Sequence, residues 1–322
     1  MSGGLRVPDA RAGARILAFG DYRPARIVTN DEIARTVDTN DEWIRSRVGI
    51  AERRIAGDDE GIVELGAHAG GKALAGSGLD PSDIDLVILA TCSAESPMPG
   101  YAPQVAHRLG IDAPGAFDLN AACAGFCYAL ATASAAVRAG NARNVLVIGS
   151  EKMSQWLDWT DRSTCIIFAD GAGAAVVTGS DSPGIGPVVW GSAGDKYDKI
   201  IIPDRHSFIQ QEGQAVFRWA TTAIAPIAAE ACERAGIKPE DLAAVVPHQA
   251  NLRIINAIAR KVNAVNAVVA DDIVQSGNTS GASIPLALSR MIERGDVPSG
   301  APALLVGFGA GLSYAAQVIQ IP

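Results

Sequence analysis

The chain has 322 residues, of which 48% are hydrophobic and 19% charged, and its net charge is −8. That length and apolar content suffice for a large core and two lobes, and the acidic balance gives no bulk attraction to nucleic acid. The N-terminus lacks a charged-then-apolar signal pattern, and no segment reaches the ~20 strongly apolar residues of a membrane helix, so a cytoplasmic protein is expected. Five cysteines, an odd number without framework spacing, predict free thiols. Cys92, Cys127, Cys165 and Cys232 are read as buried fillers.

In chain order, the first punctuated segment is Ala75-Gly-Ser-Gly-Leu-Asp-Pro-Ser-Asp-Ile-Asp-Leu-Val-Ile88, which leads into an apolar strand. In Phe117-Asp-Leu-Asn-Ala-Ala-Cys-Ala-Gly-Phe126 a strand meets a small-residue turn and then a helix that runs to Arg138 and ends at Gly140. Val145-Leu-Val-Ile148 lacks alternation and reads as a strand buried on both faces. A helix near Ala215 to Ala235 ends at Gly236. It is followed by Val245-Val-Pro-His-Gln-Ala-Asn251, where Pro247 stops a strand and His248 comes next. After Asn251, Ile255, Ile258 and Val262 form an apolar stripe, with Arg253, Arg260 and Lys261 on another face. In Ser276-Gly-Asn-Thr-Ser-Gly-Ala-Ser-Ile-Pro285 an asparagine sits in a glycine turn that opens another helix.

The chain also resembles itself. Gly78 and Gly236, Pro81 and Pro239, and Asp83 and Asp241 are each 158 positions apart, and the segment from Arg138 parallels that from Glu293. So long a period indicates repeated domains rather than a solenoid. We therefore expect a duplicated α/β chain, with halves at residues 1–180 and 181–322. Adding the offset to Cys123 lands on Gly281, so the two helix-opening turns should face each other, with the thiol from one half and the His248 and Asn278 loops from the other. No consequence is expected from a glycine at 281.

Cys123 at a helix start faces the positive end of the helix dipole, which favours thiolate and lowers the pKa from ~8.5. Taken singly, each of the three residues has a plainer reading: Cys123 as a buried small residue, His248 as a loop histidine, Asn278 as a turn former. Together they supply a nucleophile, a base or donor, and an uncharged donor at β/α junctions.

That constellation resembles the thiolase-fold condensing enzymes, and most closely β-ketoacyl-acyl-carrier-protein synthase III of the actinobacterial type. The resemblance extends through Gly20-Asp-Tyr-Arg-Pro24, Asp41-Glu-Trp-Ile-Arg-Ser-Arg-Val-Gly-Ile50, Phe168-Ala-Asp-Gly-Ala-Gly173 and Gly307-Phe-Gly-Ala-Gly-Leu-Ser-Tyr314. It implies two mixed five-stranded sheets in a five-layered αβαβα sandwich. It also implies that Cys123 takes an acyl group from coenzyme A, after which malonyl-acyl-carrier protein loses carbon dioxide and attacks the thioester. His248 and Asn278 would donate to the enolate oxygen, and the backbone N–H groups of Cys123 and Ala310 to the tetrahedral oxyanion. The coenzyme A site would comprise Trp43 and Arg162 around adenine, Arg47 beside them, and Asn251 on the pantetheine arm. Met98, crossing a homodimer interface, and Phe217 would bound the acyl pocket, with the segment Gly194 to Gly213 as another wall; short starters of two to about five carbons are expected by volume. Arg218, Arg253, Arg260 and Lys261 form a candidate docking patch for the carrier protein, or an ordinary solvated face. No metal and no cofactor beyond the coenzyme A thioester substrate is expected.

Other chemistries fit less well. A biosynthetic thiolase would want a second cysteine in the Gly307 to Gly311 loop, and a hydroxymethylglutaryl-type synthase a glutamate acid/base, for which no motif is visible. Type III polyketide synthases share the residue types but not the surrounding strings. A starter-loading ketosynthase or acyltransferase of a polyketide pathway is the alternative function, and a non-catalytic partner subunit is disfavoured by retention of all three polar residues.

Overall fold

The computed structural model describes residues 10–322. Residues 1–9 of the expected first half lie outside it. Two five-stranded sheets carry the chain. Edge to edge, the first runs Gly13–Tyr22, Asp170–Ser180, Asn144–Lys152, Leu86–Ala90, Gly115–Leu119, and the second Val189–Ser192, Ser313–Gln320, Pro302–Gly309, Ala244–Pro247, Val268–Val269. In each sheet the two pairings on one side are parallel and the two on the other antiparallel, in the same order. The duplication legible in the sequence is thus a duplication of topology. The turns agree at the level of single residues. Gly78 and Gly236 both end helices in the left-handed conformation, and Pro81–Asp83 and Pro239–Asp241 are both short 3₁₀ turns.

Helices complete five layers. Ile62–Ser77 and Ala102–Arg108 cover the outer face of the first sheet, with Leu65, Ala69, Val87, Leu89 and Ile148 in their core. Gly213–Ala235 and Leu252–Val262 cover the outer face of the second, around Ile224, Ile254, Ile258, Leu304 and Phe308. Between the sheets lie Gly125–Arg138 and Ser283–Glu293, whose Phe126, Leu130, Ile284 and Leu288 are fully or almost fully buried among residues of both sheets. The second of these reads as amphipathic in sequence, yet most of its residues, Ser283 and Ser289 included, are buried because sheets lie on both sides of it. The architecture is the thiolase fold.

Two glycines explain how closely the central turns sit. A Cβ on Gly149 would stand 2.5 Å from the carbonyl oxygen of Gly281, and one on Gly307 would stand 2.9 Å from the Cα of Ala124. These glycines are again 158 positions apart. Each lets the helix-opening turn of one half rest on the sheet of the other. The turns are themselves matched: Ala122 and Ser280, also related by the offset, have φ of 47° and 46°, a left-handed conformation uncommon for residues with a Cβ. Each precedes the first turn of its central helix and presents the next backbone N–H toward the interface between halves.

Candidate active site

Cys123 lies in the 3₁₀ turn Ala122–Ala124, immediately before the helix Gly125–Arg138. It lines a cavity of about 680 Å³, together with His248, Asn278 and Ala310. The expected convergence of one thiol from the first half with an imidazole and a carboxamide from the second is therefore present in the geometry. The strand ending at Pro247 delivers His248, whose backbone N–H donates to Val306 O at 2.8 Å. Asn278 is held by main-chain bonds on both sides, its N–H to Ile167 O and its carbonyl to Ala169 N.

The side-chain partners orient both groups. His248 is 2% exposed, and its Nδ1 is 2.7 Å from Ser283 Oγ. Ser283 Oγ also accepts the Gln249 N–H at 3.3 Å, and where its own hydrogen goes to Nδ1 the imidazole proton lies on Nε2. Burial drives the His248 pKa down to about 3. The ring is neutral at physiological pH. Asn278 Oδ1 accepts the Ser280 N–H at 2.8 Å, so its Nδ2 hydrogens are the ones left for the cavity.

The thiol differs from the expectation. Burial pushes Cys123 up to about 12, with the buried Glu151 carboxylate adding to the rise. The Ser280 hydrogen bond and two backbone N–H groups at the sulfur, those of Cys123 and Ala310, oppose this but do not outweigh desolvation. Those two donors are the pair expected to form the oxyanion hole, and they converge on the sulfur. Gly309 makes room for this: a Cβ there would be 2.7 Å from Cys123 Cβ and 2.9 Å from its Sγ. Among the described residues the only side-chain hydrogen bond of Cys123 goes to Ser280 Oγ, at 3.3 Å.

Three polar residues of the site escaped the sequence reading. Ser283 and Ser280 were hidden among small turn formers. Glu151, fully buried, accepts from Thr91 and Ser93 hydroxyls, from the backbone of Cys92, Ser93 and Gly281, and from the Cys92 thiol. Its signal was a carboxylate closing the apolar strand Val145–Ile148. Two expectations are corrected here. Cys92 is no inert filler, since it lines the cavity and bonds both Glu151 and Ser280. Gly281 has a consequence after all, because a Cβ would stand 3.0 Å from Glu151 Oε1, crowding the carboxylate.

Toward the cavity mouth, Trp43, Arg47, Arg162 and Asn251 all line the walls. Arg162 stacks directly on the Trp43 indole, 4.8 Å from its centroid, with Arg47 at 5.5 Å. An aromatic base between them needs about 7 Å, twice the ~3.5 Å contact distance, so Arg162 must swing away from Asp38, whose carbonyl it binds at 2.7 Å. Asn251 caps the helix Leu252–Val262 through Arg253 N and donates to Arg47 O. Of the residues expected at the acyl pocket, Phe217 lines both the cavity and a surface groove with Arg253 and Arg260, which sets it at the mouth. Met98 is 81% exposed and outside the cavity of its own chain. Ile200, Ile201, Ile202 and Ile209, from the Gly194 to Gly213 segment, do line it. Arg218, Arg253, Arg260 and Lys261 are exposed, and among the described residues none forms an ion pair.

Residues 117–194 match a model of 3-oxoacyl-[acyl-carrier-protein (ACP)] synthase III, and residues 232–321 match that of its C-terminal part. The β-ketoacyl-[acyl-carrier-protein] synthase III 4 of Streptomyces coelicolor is 58% identical over 96% of this chain and 99% of its own. The mycobacterial β-ketoacyl-[acyl-carrier-protein] synthase III of Mycobacterium avium is 46% identical over 95% of each. Among solved structures, the priming β-ketosynthase from the R1128 polyketide biosynthetic pathway superposes with a TM-score of 0.96 at 46% identity, covering 99% of both chains. The 3-oxoacyl-[acyl-carrier-protein] synthase III of Aquifex aeolicus gives 0.91 at 40% identity, covering 96% of this chain and all of that one. With its duplicated sheets, its thiol between the halves and these relatives along nearly its whole length, the chain belongs to the 3-oxoacyl-[acyl-carrier-protein] synthase III family.

Proposed function

We propose that the protein joins a short acyl group from acyl-CoA to malonyl-acyl-carrier protein by decarboxylative condensation, the opening step of fatty acid synthesis. The observation that carries this reading is the cavity in which one thiol faces two neutral, pre-oriented donors. Cys123 accepts the acyl group as a thioester, which divides the reaction into two covalent steps at a fixed nucleophile. Loss of carbon dioxide from the malonyl group then places negative charge on a thioester oxygen. His248 Nε2–H and Asn278 Nδ2–H stabilise that charge in a site removed from water. Neutral donors suit the task, since they stabilise the enolate without protonating it. The enolate carbon attacks the Cys123 thioester, and the Cys123 and Ala310 N–H groups receive the oxyanion.

Trp43, Arg47 and Arg162 would hold the adenine end of coenzyme A, with Asn251 on the pantetheine arm, and no further cofactor enters the scheme. The unpaired arginines around the Phe217 groove favour an acidic carrier despite the net charge of −8, because local charge dominates within a Debye length of ~8 Å. The edge strand Gly115–Leu119, with Phe117 41% exposed, offers an unpaired edge of the kind that proteins cover. We assign it to a homodimer, in which Met98 would reach the partner's acyl pocket. Residues 1–180 and 181–322 form the two halves. Among the described residues no helix is long and apolar enough to cross a membrane, which accords with a cytoplasmic enzyme.

A second reading, priming of a polyketide pathway, is favoured by the likeness to the R1128 priming ketosynthase. It is the same chemistry with another acyl group and carrier. Intact mass after mixing with acyl-CoA should show an adduct on the wild type and none on Cys123→Ser. Asn278→Ala should keep the adduct but lose the β-ketoacyl product. A wild type that gives no such product from any acyl-CoA starter with malonyl-carrier protein overturns the proposal, and the preferred starter separates the two pathways.

A further inference from the structure

Cys123 must lose a proton to attack a thioester, and the site poses a difficulty. The thiol is buried beside a buried carboxylate, and among the described residues its only side-chain hydrogen bond goes to Ser280. That bond opens a continuous chain: Cys123 Sγ to Ser280 Oγ at 3.3 Å, Ser280 Oγ to Cys92 Sγ at 3.2 Å, and Cys92 Sγ to Glu151 Oε1 at 3.3 Å. Every junction is a hydrogen bond of ordinary length for sulfur, and the last acceptor is a fully buried carboxylate that among the described residues has no cationic partner within salt-bridge distance. We propose that Ser280 and Cys92 relay the Cys123 proton to Glu151, making Glu151 the resident proton acceptor for the nucleophile. The inference rests on the reading of Cys123 as the acylated residue.

The proton balance is simple. The Cys123 S–H bond breaks, each intermediate passes its hydrogen one place along, and an O–H bond forms on Glu151. Ser280 then donates to the Cys123 thiolate and Cys92 donates to Ser280. The cluster carries one negative charge before and after, so no second charge is buried. A thiolate beside an ionised Glu151 would instead place two anions in one dry site, which their coupling forbids at neutral pH. The charge moves to the position where the Cys123 and Ala310 N–H groups wait. When coenzyme A leaves as a thiolate, Ser280 returns the proton to it and Glu151 is ionised again.

The test uses iodoacetamide, a probe of thiolate that needs no acyl-CoA, with modification of Cys123 followed by peptide mass at neutral pH. Ser280→Ala, Cys92→Ala and Glu151→Gln should each slow it by about 100-fold. Cys92→Ser, which restores a transferable proton, should recover at least about tenfold over Cys92→Ala. Glu151→Gln is the sharpest arm, because a merely repelling carboxylate would make its loss speed alkylation. A rate equal to or above wild type in Glu151→Gln, or a Cys92→Ser as slow as Cys92→Ala, overturns the relay. If Glu151→Gln does not fold, Ser280→Ala and the Cys92 pair decide. Should this pattern hold while acyl-CoA leaves no adduct on wild-type Cys123, the relay stands and the condensing function falls.

Discussion

Replacing Gly309 by alanine probes the space around the Cys123 thiol without touching a polar group. The backbone there is extended, with φ of 175°, so alanine meets no conformational penalty and the effect is one of volume alone. The new Cβ would lie 2.7 Å from Cys123 Cβ, 2.9 Å from Sγ and 3.2 Å from its backbone nitrogen. Ordinary carbon contacts are ~3.5–4.0 Å, so the turn and the strand must separate by about 1 Å. Overpacking of this kind costs about 1–3 kcal/mol, a shift of only a few degrees in melting temperature for a chain this long. The kinetic cost should be larger, since a ~1 Å misplacement of reacting groups is worth about 100-fold. Acylation of Cys123 by acyl-CoA, followed by intact mass against time, should therefore fall about 100-fold while the protein stays folded. A Gly309→Ala enzyme that acylates at the wild-type rate would refute the claim that this glycine makes room for the sulfur.

Four further outcomes follow from the site. Trp43→Ala should raise the Michaelis constant for acyl-CoA by the ~0.5–2 kcal/mol of a cation–π stack, about 2- to 30-fold, and leave a short acyl thioester lacking adenine unaffected; equal effects on both would remove adenine from this wall. Charge reversal at Arg253 and Arg260 should raise the Michaelis constant for the carrier substrate, most at low salt, with acyl-CoA loading intact. His248 has its folded pKa depressed from 6.5 to about 3, so the unfolded chain binds the extra proton between those values. Its contribution to stability is complete above 6.5 and lost as pH falls toward 3, and the acid limb of a denaturation series should be shallower in His248→Asn. Ser283→Ala removes the partner of His248 Nδ1 and should lower condensation about 10- to 100-fold, as loss of a histidine's orienting partner does, while thioester formation on Cys123 persists.

The repeat was legible because duplicated turns keep their punctuation: Gly78 and Gly236 are needed where helices end left-handed, whatever packs around them. The thiol, imidazole and carboxamide were legible for a similar reason, each standing at a β/α junction marked by small residues or proline. Local sequence also placed the helix stripe of Ile255, Ile258 and Val262, all of which are buried. It misjudged the Cys123 thiol because the helix start is a local feature whereas desolvation is set by elements far along the chain. Glu151 and Gly281 are 130 positions apart and joined by a hydrogen bond, and nothing near either one announces the other. They meet because Gly149 lets the Gly281 turn settle on the first sheet. Local pattern was enough for the two-fold architecture and for marking a thiol, an imidazole and a carboxamide at β/α junctions, since turn chemistry acts over a few residues, whereas the roles expected of the three came from the family resemblance. The burial of the thiol, the Ser283 partner of His248 and the Trp43–Arg162 stack belong to the fold, because desolvation and hydrogen-bond partnership are properties of the packed whole.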